Sequence, residues 1–196
     1  INPNQRPAAY CTAVRNGTKD DWDFLWTQYE YSNFASDQAV ILQALGCTED
    51  VSILETFLLR ALESFEKGRI RKQDSATVFS AVSSSGVSGA KFVLNFVAKH
   101  YADMTEYSKG TSTIASILKS ASQHFSTQEL VDQFESLIET RKTEFKDILD
   151  SLRDSLEIAK YELLWLEKYK ESIISWITAF NDRESNGTTP GGDNTT

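Results

Sequence analysis

The sequence predicts an all-α fold, an array of antiparallel helix pairs, and three observations predict it. Apolar residues recur every three or four positions along most of the chain. No stretch alternates apolar with polar residues. Capping and stop residues fall between the periodic runs at intervals suited to helices of roughly 10 to 18 residues. The first run is Trp22, Leu25, Trp26 and Tyr29, with Asp20 and Asp21 placed to cap it. Next come Ala39, Ile41, Leu42 and Leu45, preceded by Ser36 and stopped by Gly46. Thr48-Glu49-Asp50 opens a stretch in which Ile53, Leu54, Phe57, Leu58, Ala61, Leu62 and Phe65 form one stripe ending at Gly68. Helices are expected from about Lys72 to Val82, ahead of a Ser83–Gly89 turn, then through Phe92, Val93, Phe96 and Val97, and through Ile114, Ile117, Leu118 and Ala121. Ser126-x-x-Glu129 reads as a capping box opening Leu130, Phe134, Leu137 and Ile138. The longest stretch runs from about Glu144 to Ile177. Paired helices joined by short turns suggest an α-solenoid, with repeats that leave no clean sequence period. From Asn181 the composition turns to Asn, Gly, Thr and Pro with no apolar residue. The organisation expected is therefore a helical domain over 1–180 and a flexible stalk over 181–196.

Composition narrows the function classes. The chain has 196 residues, 40% of them hydrophobic and 11% aromatic, which suits one domain with its own core and argues against disorder over most of its length. Its net charge of −8 comes without a strongly basic stretch, so nucleic-acid binding is excluded as an expectation. No apolar run approaches the roughly 18 residues that cross a bilayer. The opening Ile1-Asn2-Pro3-Asn4 has neither an initiator Met nor a signal segment, and reads as an internal start.

The residues hold little recognisable chemistry. A zinc hydrolase site commonly takes two His one helical turn apart plus a carboxylate. Here His100 and His124 fall in different expected helices with no H-E-x-x-H around them. Ser83-Ser84-Ser85-Gly86 lacks the strand-turn-helix setting of a nucleophile elbow and reads as a turn. Gly86-x-x-Gly89 is too short to propose phosphate binding. The aromatic group Trp22, Phe24, Trp26, Tyr29, Tyr31 and Phe34 reads first as helix-pair core with some exposed edge and alternatively as a partner surface, and Trp165, Tyr169 and Trp176 take the same two readings. Arg69-Ile70-Arg71-Lys72 is the densest cationic run, read first as a solvated helix start with Asp74 in its first turn. Cys11 and Cys47 could be reduced and buried or paired, and spacing alone leaves both open. Three N-x-[ST] sequons, at Asn16, Asn186 and Asn194, favour a secretory setting in which the two cysteines would pair.

Several segments taken together resemble the late region of aminopeptidase N-type zinc metallopeptidases. They are Arg6-Pro7-Ala8-Ala9-Tyr10-Cys11, Trp22-Asp23-Phe24-Leu25-Trp26-Thr27-Gln28-Tyr29, Ile41-Leu42-Gln43-Ala44-Leu45-Gly46-Cys47-Thr48, Ile70-Arg71-Lys72-Gln73-Asp74, Gln123-His124-Phe125-Ser126-Thr127, Leu164-Trp165-Leu166-Glu167-Lys168 and Ser175-Trp176-Ile177. The resemblance implies a C-terminal helical domain of HEAT- or armadillo-like pairs that caps the substrate cavity of an enzyme removing N-terminal residues from peptides. It implies a Cys11–Cys47 disulfide. It places zinc in a catalytic domain elsewhere in the polypeptide, with no cofactor and no catalytic residue in this chain. Arg71 is the candidate for a cation facing that cavity. The tail resembles the Thr-rich stalk of insect midgut aminopeptidases N, which implies an extracellular, lipid-anchored location whose anchor signal lies outside this sequence. Family members also imply two further partners, a bacterial pore-forming toxin and a second copy in a homodimer. Neither can be assigned to residues.

Overall fold

The computed structural model describes residues 1–185. After a 3-10 turn at Pro3–Gln5 come α1 (Arg6–Asn16), α2 (Lys19–Tyr31), α3 (Ala35–Leu45), α4 (Val51–Arg60), α5 (Phe65–Gly68), α6 (Ser75–Ser83), α7 (Val87–Ser108), α8 (Ser112–Ser122), α9 (Gln128–Thr140) and α10 (Leu149–Ser185). Among the described residues there is no strand, and the expected all-α class stands.

Packing follows two rows. Contacts run from α1 to α3, α3 to α6, α6 to α8 and α8 to α10. Against this row lie α2 on α3, α4 on α6, α7 on α6 and α8, and α9 on α10. The apolar stripes meet between the rows, where Phe57, Phe79, Phe134 and Phe145 are fully buried. The periodic residues Leu25, Leu42, Leu58, Val97, Leu118 and Ile138 join the same core.

Several helix ends differ from the expected ones. Asp21 caps α2, but by reaching back: its carboxylate accepts from the Thr18 N–H at 2.7 Å and the Thr18 hydroxyl at 2.9 Å, and those bonds hold its pKa below the usual value. Asp50 caps α4, accepting from Ser52 N–H at 2.8 Å and Ile53 N–H at 3.2 Å. The capping box expected at Ser126 is one residue out of frame. Thr127 is the cap, its hydroxyl accepting from Leu130 N–H at 3.4 Å, while Glu129 turns outward to Lys91 at 2.6 Å. The single stripe from Ile53 to Phe65 divides. Helix α4 stops at Arg60, Ser64 takes extended backbone, and Phe65 opens the short α5 with half its surface exposed. The Ser83–Gly89 turn is shorter than expected, since α7 starts at Val87 once Gly86 has taken φ of +140°. Residues expected at the start of the final helix form turns around the buried Phe145, and α10 begins at Leu149. It then runs past Ile177 through Asn181 to Ser185. Residues 181–185, expected in the stalk, are thus helical, and the rest of that tail, with Asn186 and Asn194, lies outside the described residues.

Gly46 permits a close approach between α3 and α6. A Cβ there would meet the backbone carbonyl carbon of Ala81 in α6 at 2.6 Å and the Ala81 side chain at 2.8 Å. Both obstacles are backbone or attached to it, so α3 and α6 would have to separate. Gly46→Ala is expected to cost about 1–3 kcal/mol, read as a lower urea midpoint at unchanged slope.

Candidate functional site

Cys11 and Cys47 form a disulfide, with Cα atoms 5.3 Å apart. It joins α1 to the residue following the Gly46 stop of α3, so the first helix is tied to the second helix of its row. Beside it stands the aromatic group. Trp22, Trp26 and Tyr29 are buried, whereas Phe24, Tyr31 and Phe34 on the outer side are 65%, 80% and 74% exposed. Trp22 and Trp26 stack at 5.6 Å, Phe57 meets Trp22 edge-on at 5.7 Å, and the Arg60 guanidinium lies 4.4 Å above Trp26. The expectation of core with an exposed edge describes this group.

The cationic run is engaged within the chain. Arg71 Nε donates to Asp74 at 2.7 Å, Arg69 pairs with Glu30 at 3.5 Å, and Lys72 Nζ donates to the Tyr107 carbonyl at 2.9 Å. The Tyr29 hydroxyl donates to the Arg69 carbonyl at 3.1 Å, and burial, aided by the Asp74 charge, raises that phenol's pKa. Arg69 itself sits at φ of +61° and closes α5. These residues brace the corner between α5 and α6. The Arg71 side chain keeps 39% exposure, so part of its guanidinium remains available to an external anion.

The two histidines are not brought together in any group able to hold a metal. His100 interrupts α7, with φ of −113° and ψ of 15°, and packs 4.5 Å from the Phe96 ring. Its Nε2 faces Glu55 and its Nδ1 faces Asp103, each at 3.4 Å. These carboxylates lie on opposite ring nitrogens, so no single ion could take both. Glu55 is drawn below the usual carboxylate range mainly by its hydrogen bond from Lys99 at 2.7 Å. His124 lies elsewhere, at the end of α8. Among the described residues no group of three His, Cys, Asp or Glu could hold a metal ion. The serine cluster is also structural. The hydroxyls of Ser83, Ser84 and Ser85 donate to the carbonyls of Ser80, Ala81 and Val82, closing the end of α6.

Sequence reasoning missed a groove of about 590 Å³ where the loops after α6 and α8 meet α10. Gly86, Val87, His124, Phe125, Tyr161 and Trp165 line it. Its residues come from three separate segments, so only the Trp and Tyr of α10 hinted at it. Above it, α10 carries a run of apolar residues exposed to solvent, including Trp165, Ile173, Trp176 and Phe180. Among the described residues no helix is long and apolar enough to cross a membrane. Asn16, the one sequon asparagine among the described residues, is exposed at the end of α1.

Comparison with known proteins agrees with the family reading. Residues 1–160 match the family model described as the ERAP1-like C-terminal domain. Aminopeptidase N of Oryctolagus cuniculus is 28% identical over 181 residues, 91% of this chain and 18% of that protein. Aminopeptidase N of Homo sapiens is 27% identical over 180 residues, again 91% and 18%. Aminopeptidase N of the insect Plutella xylostella is 27% identical over 137 residues, 68% of this chain and 14% of that protein. The chain thus spans about a fifth of the length of these relatives. On the match over residues 1–160, the chain belongs to the family of ERAP1-like C-terminal domains.

Proposed function

We propose that this chain is a non-catalytic domain that caps and shapes the substrate cavity of a zinc aminopeptidase acting on peptide N-termini. The observation that carries this reading is the match of residues 1–160 to a C-terminal domain family whose matching relatives are named aminopeptidases. The packing supports a finer reading. A row of α1, α3, α6, α8 and α10 backed by α2, α4, α7 and α9 supports reading the domain as a HEAT- or armadillo-like array, whose role would be that of a wall rather than a reactive centre. On the likeness to aminopeptidases N, we place a zinc ion in the catalytic part of the parent polypeptide. There it would polarise the scissile carbonyl and activate water. The role left to this chain is steric and electrostatic: its helices limit entry to short peptides, and the exposed part of Arg71 offers a cation to a peptide carboxylate. The helical part of the chain is taken as that wall, with the stalk starting later than residue 181.

The test compares the isolated chain with the full polypeptide. The full protein should remove N-terminal residues from short peptides, lose activity with a zinc chelator, and spare the N-termini of folded proteins. The isolated chain should hydrolyse nothing. A full-length protein without chelator-sensitive peptidase activity overturns the proposal.

An extracellular setting is part of this reading, supported by the disulfide and the sequons, and lipid anchoring is added to it on the resemblance of the tail alone. Asn16 is expected to carry an N-glycan. It is exposed, and Thr18 supplies the required hydroxyl two residues on. Enzymatic removal of N-glycans from protein made in a secretory host should lower the mass of the peptide spanning Asn16, and Asn16→Gln should abolish that change. A second reading, a binding module such as a toxin receptor, is favoured by the exposed Phe24, Tyr31 and Phe34. Binding of a candidate toxin to the isolated chain, lost on replacing these three residues by serine, would establish it.

A further inference from the structure

Helix α10 widens its apolar face where it leaves the body. In its first half Leu152, Leu156, Ala159 and Leu163 are buried against the rest of the domain. Beyond Leu163 the next residues through Asp182 are exposed, except for the half-buried Leu166. Yet this free half is not polar. Trp165, Leu166, Tyr169, Ile173, Trp176 and Phe180 fall on one arc, roughly 100° wide at 3.6 residues per turn. The opposite side carries Glu167, Lys168, Glu171, Ser175 and Asp182, with Leu164 as its one large apolar residue. The arc is turned by about a quarter of a circle from the stripe buried in the first half. Ile174 and Ile177, also exposed, lie on the continuation of the buried stripe, so the free half carries one apolar arc of about 180° that extends that stripe. Its first residues, Trp165 and Leu166, also line the 590 Å³ groove, so groove and helix make one continuous apolar surface. A stripe of this width is what a helix shows when it is seated against a folded body.

We propose that the free half of α10 is a docking surface for the part of the same polypeptide that lies outside this chain. This inference rests on the reading of the chain as one domain of a longer aminopeptidase. Residues 186–196 are not the occupant, because they contain no apolar side chain larger than that of Pro190. Area separates the remaining occupants. Nineteen residues of helix are about 28 Å long and about 10 Å across, a footprint of roughly 300 Å² for each partner. The total, on the order of 600 Å², falls short of the ~1,200–2,000 Å² typical of a stable complex between separate molecules. It reaches the lower bound of ~600–1,500 Å² for contacts between domains of one chain, where the covalent link removes most of the entropy cost of association. The relatives supply the missing partner in length, since this chain matches only 18% of the rabbit and human proteins. The aromatic content suits such a contact. Trp165 and Tyr169 lie 5.2 Å apart and Trp176 stacks on Phe180 at 5.5 Å, giving rigid side chains that lose little freedom on docking.

The test uses the full-length protein made in a secretory host, with the photo-cross-linker p-benzoylphenylalanine placed at Trp176 and, as a control, at Glu171 on the opposite side. Illumination followed by peptide mapping should give, from the Trp176 position, a cross-link within one polypeptide to a segment N-terminal to Ile1, with loss of that product at the Glu171 position. A covalent dimer at the Trp176 position assigns the face to a second copy and overturns the proposal. A cross-link to residues 1–160, or none, overturns it too. Peptidase activity measured on the same preparation separates the two failures. An active enzyme with the wrong cross-link sinks the docking surface alone, whereas absence of chelator-sensitive activity sinks the underlying reading.

Discussion

Trp22→Ala is expected to destabilise the domain by about 3–5 kcal/mol, the range for a large aromatic removed from a core. At the size of this chain that corresponds to a fall in Tm of roughly 10–15 °C. Trp22 is 4% exposed, stacks on Trp26, and meets Phe57 edge-on. Its indole Nε1–H donates to the Leu45 carbonyl at 3.0 Å, the last carbonyl of α3. One side chain thus ties α2 to both α3 and α4. Removing it leaves a cavity and also an unpaired buried acceptor, two costs that add. Trp22→Phe separates them, since it retains most of the volume and loses only the hydrogen bond, at about 1–3 kcal/mol. Phe24→Ala, two residues along the same helix and 65% exposed, should change stability by no more than about 0.5 kcal/mol. Calorimetric melts of the three variants check the order. Equal losses for Trp22→Ala and Phe24→Ala would contradict the packing described.

Replacing both cysteines by serine is the second large effect. The bridge closes a sequence separation of 36 residues, and loop-closure entropy then assigns it about 4 kcal/mol. Here the stabilisation comes chiefly from restricting the unfolded chain, so Cys11→Ser and Cys47→Ser should act alike and the double variant no worse than either. A reductant should lower the Tm of the native protein and leave the double variant unchanged. Insensitivity of the native protein to reductant would show that α1 is held by packing on α3 alone.

The helical class of the domain was legible in the sequence because the 3.6-residue period is written into each segment separately. Leu25, Leu42, Leu58, Val97, Leu118 and Ile138 all occupy the buried side that their spacing predicts. The stop at Gly46 and the start after Asp50 were legible for the same local reason. Boundaries set by competition between neighbouring choices were less so. Ser126 and Thr127 can each cap a helix, and which one does depends on how α9 rotates to bury Leu130. The division of the Ile53–Phe65 stripe is of this kind. Its helical spacing continues, but the chain turns back after Arg60 so that Gly68 can pass beside the Arg60 carbonyl, which a Cβ would approach to 2.1 Å.

The candidate site divides along the same line. That His100 and His124 would lie on separate elements was readable from their separation in sequence, and the structure places His100 within α7 and His124 in the turn that follows α8. The Arg71–Asp74 ion pair was not read from the sequence, which placed Asp74 only as a favourable charge in a helix's first turn. Which of two cysteine states holds, by contrast, came from family resemblance, because spacing does not report the 5.3 Å between two Cα atoms on different helices. The groove at Val87, Phe125 and Trp165 was invisible, since it forms only when three distant segments meet. By itself, then, the sequence determined that this protein is helical, where most helices lie, and which side of each is apolar, because those properties repeat within a few residues. Tertiary structure alone decided which apolar side is covered by the chain and which, on the outer half of α10, is left for another surface, because burial is a relation between segments and no segment encodes its partner's position.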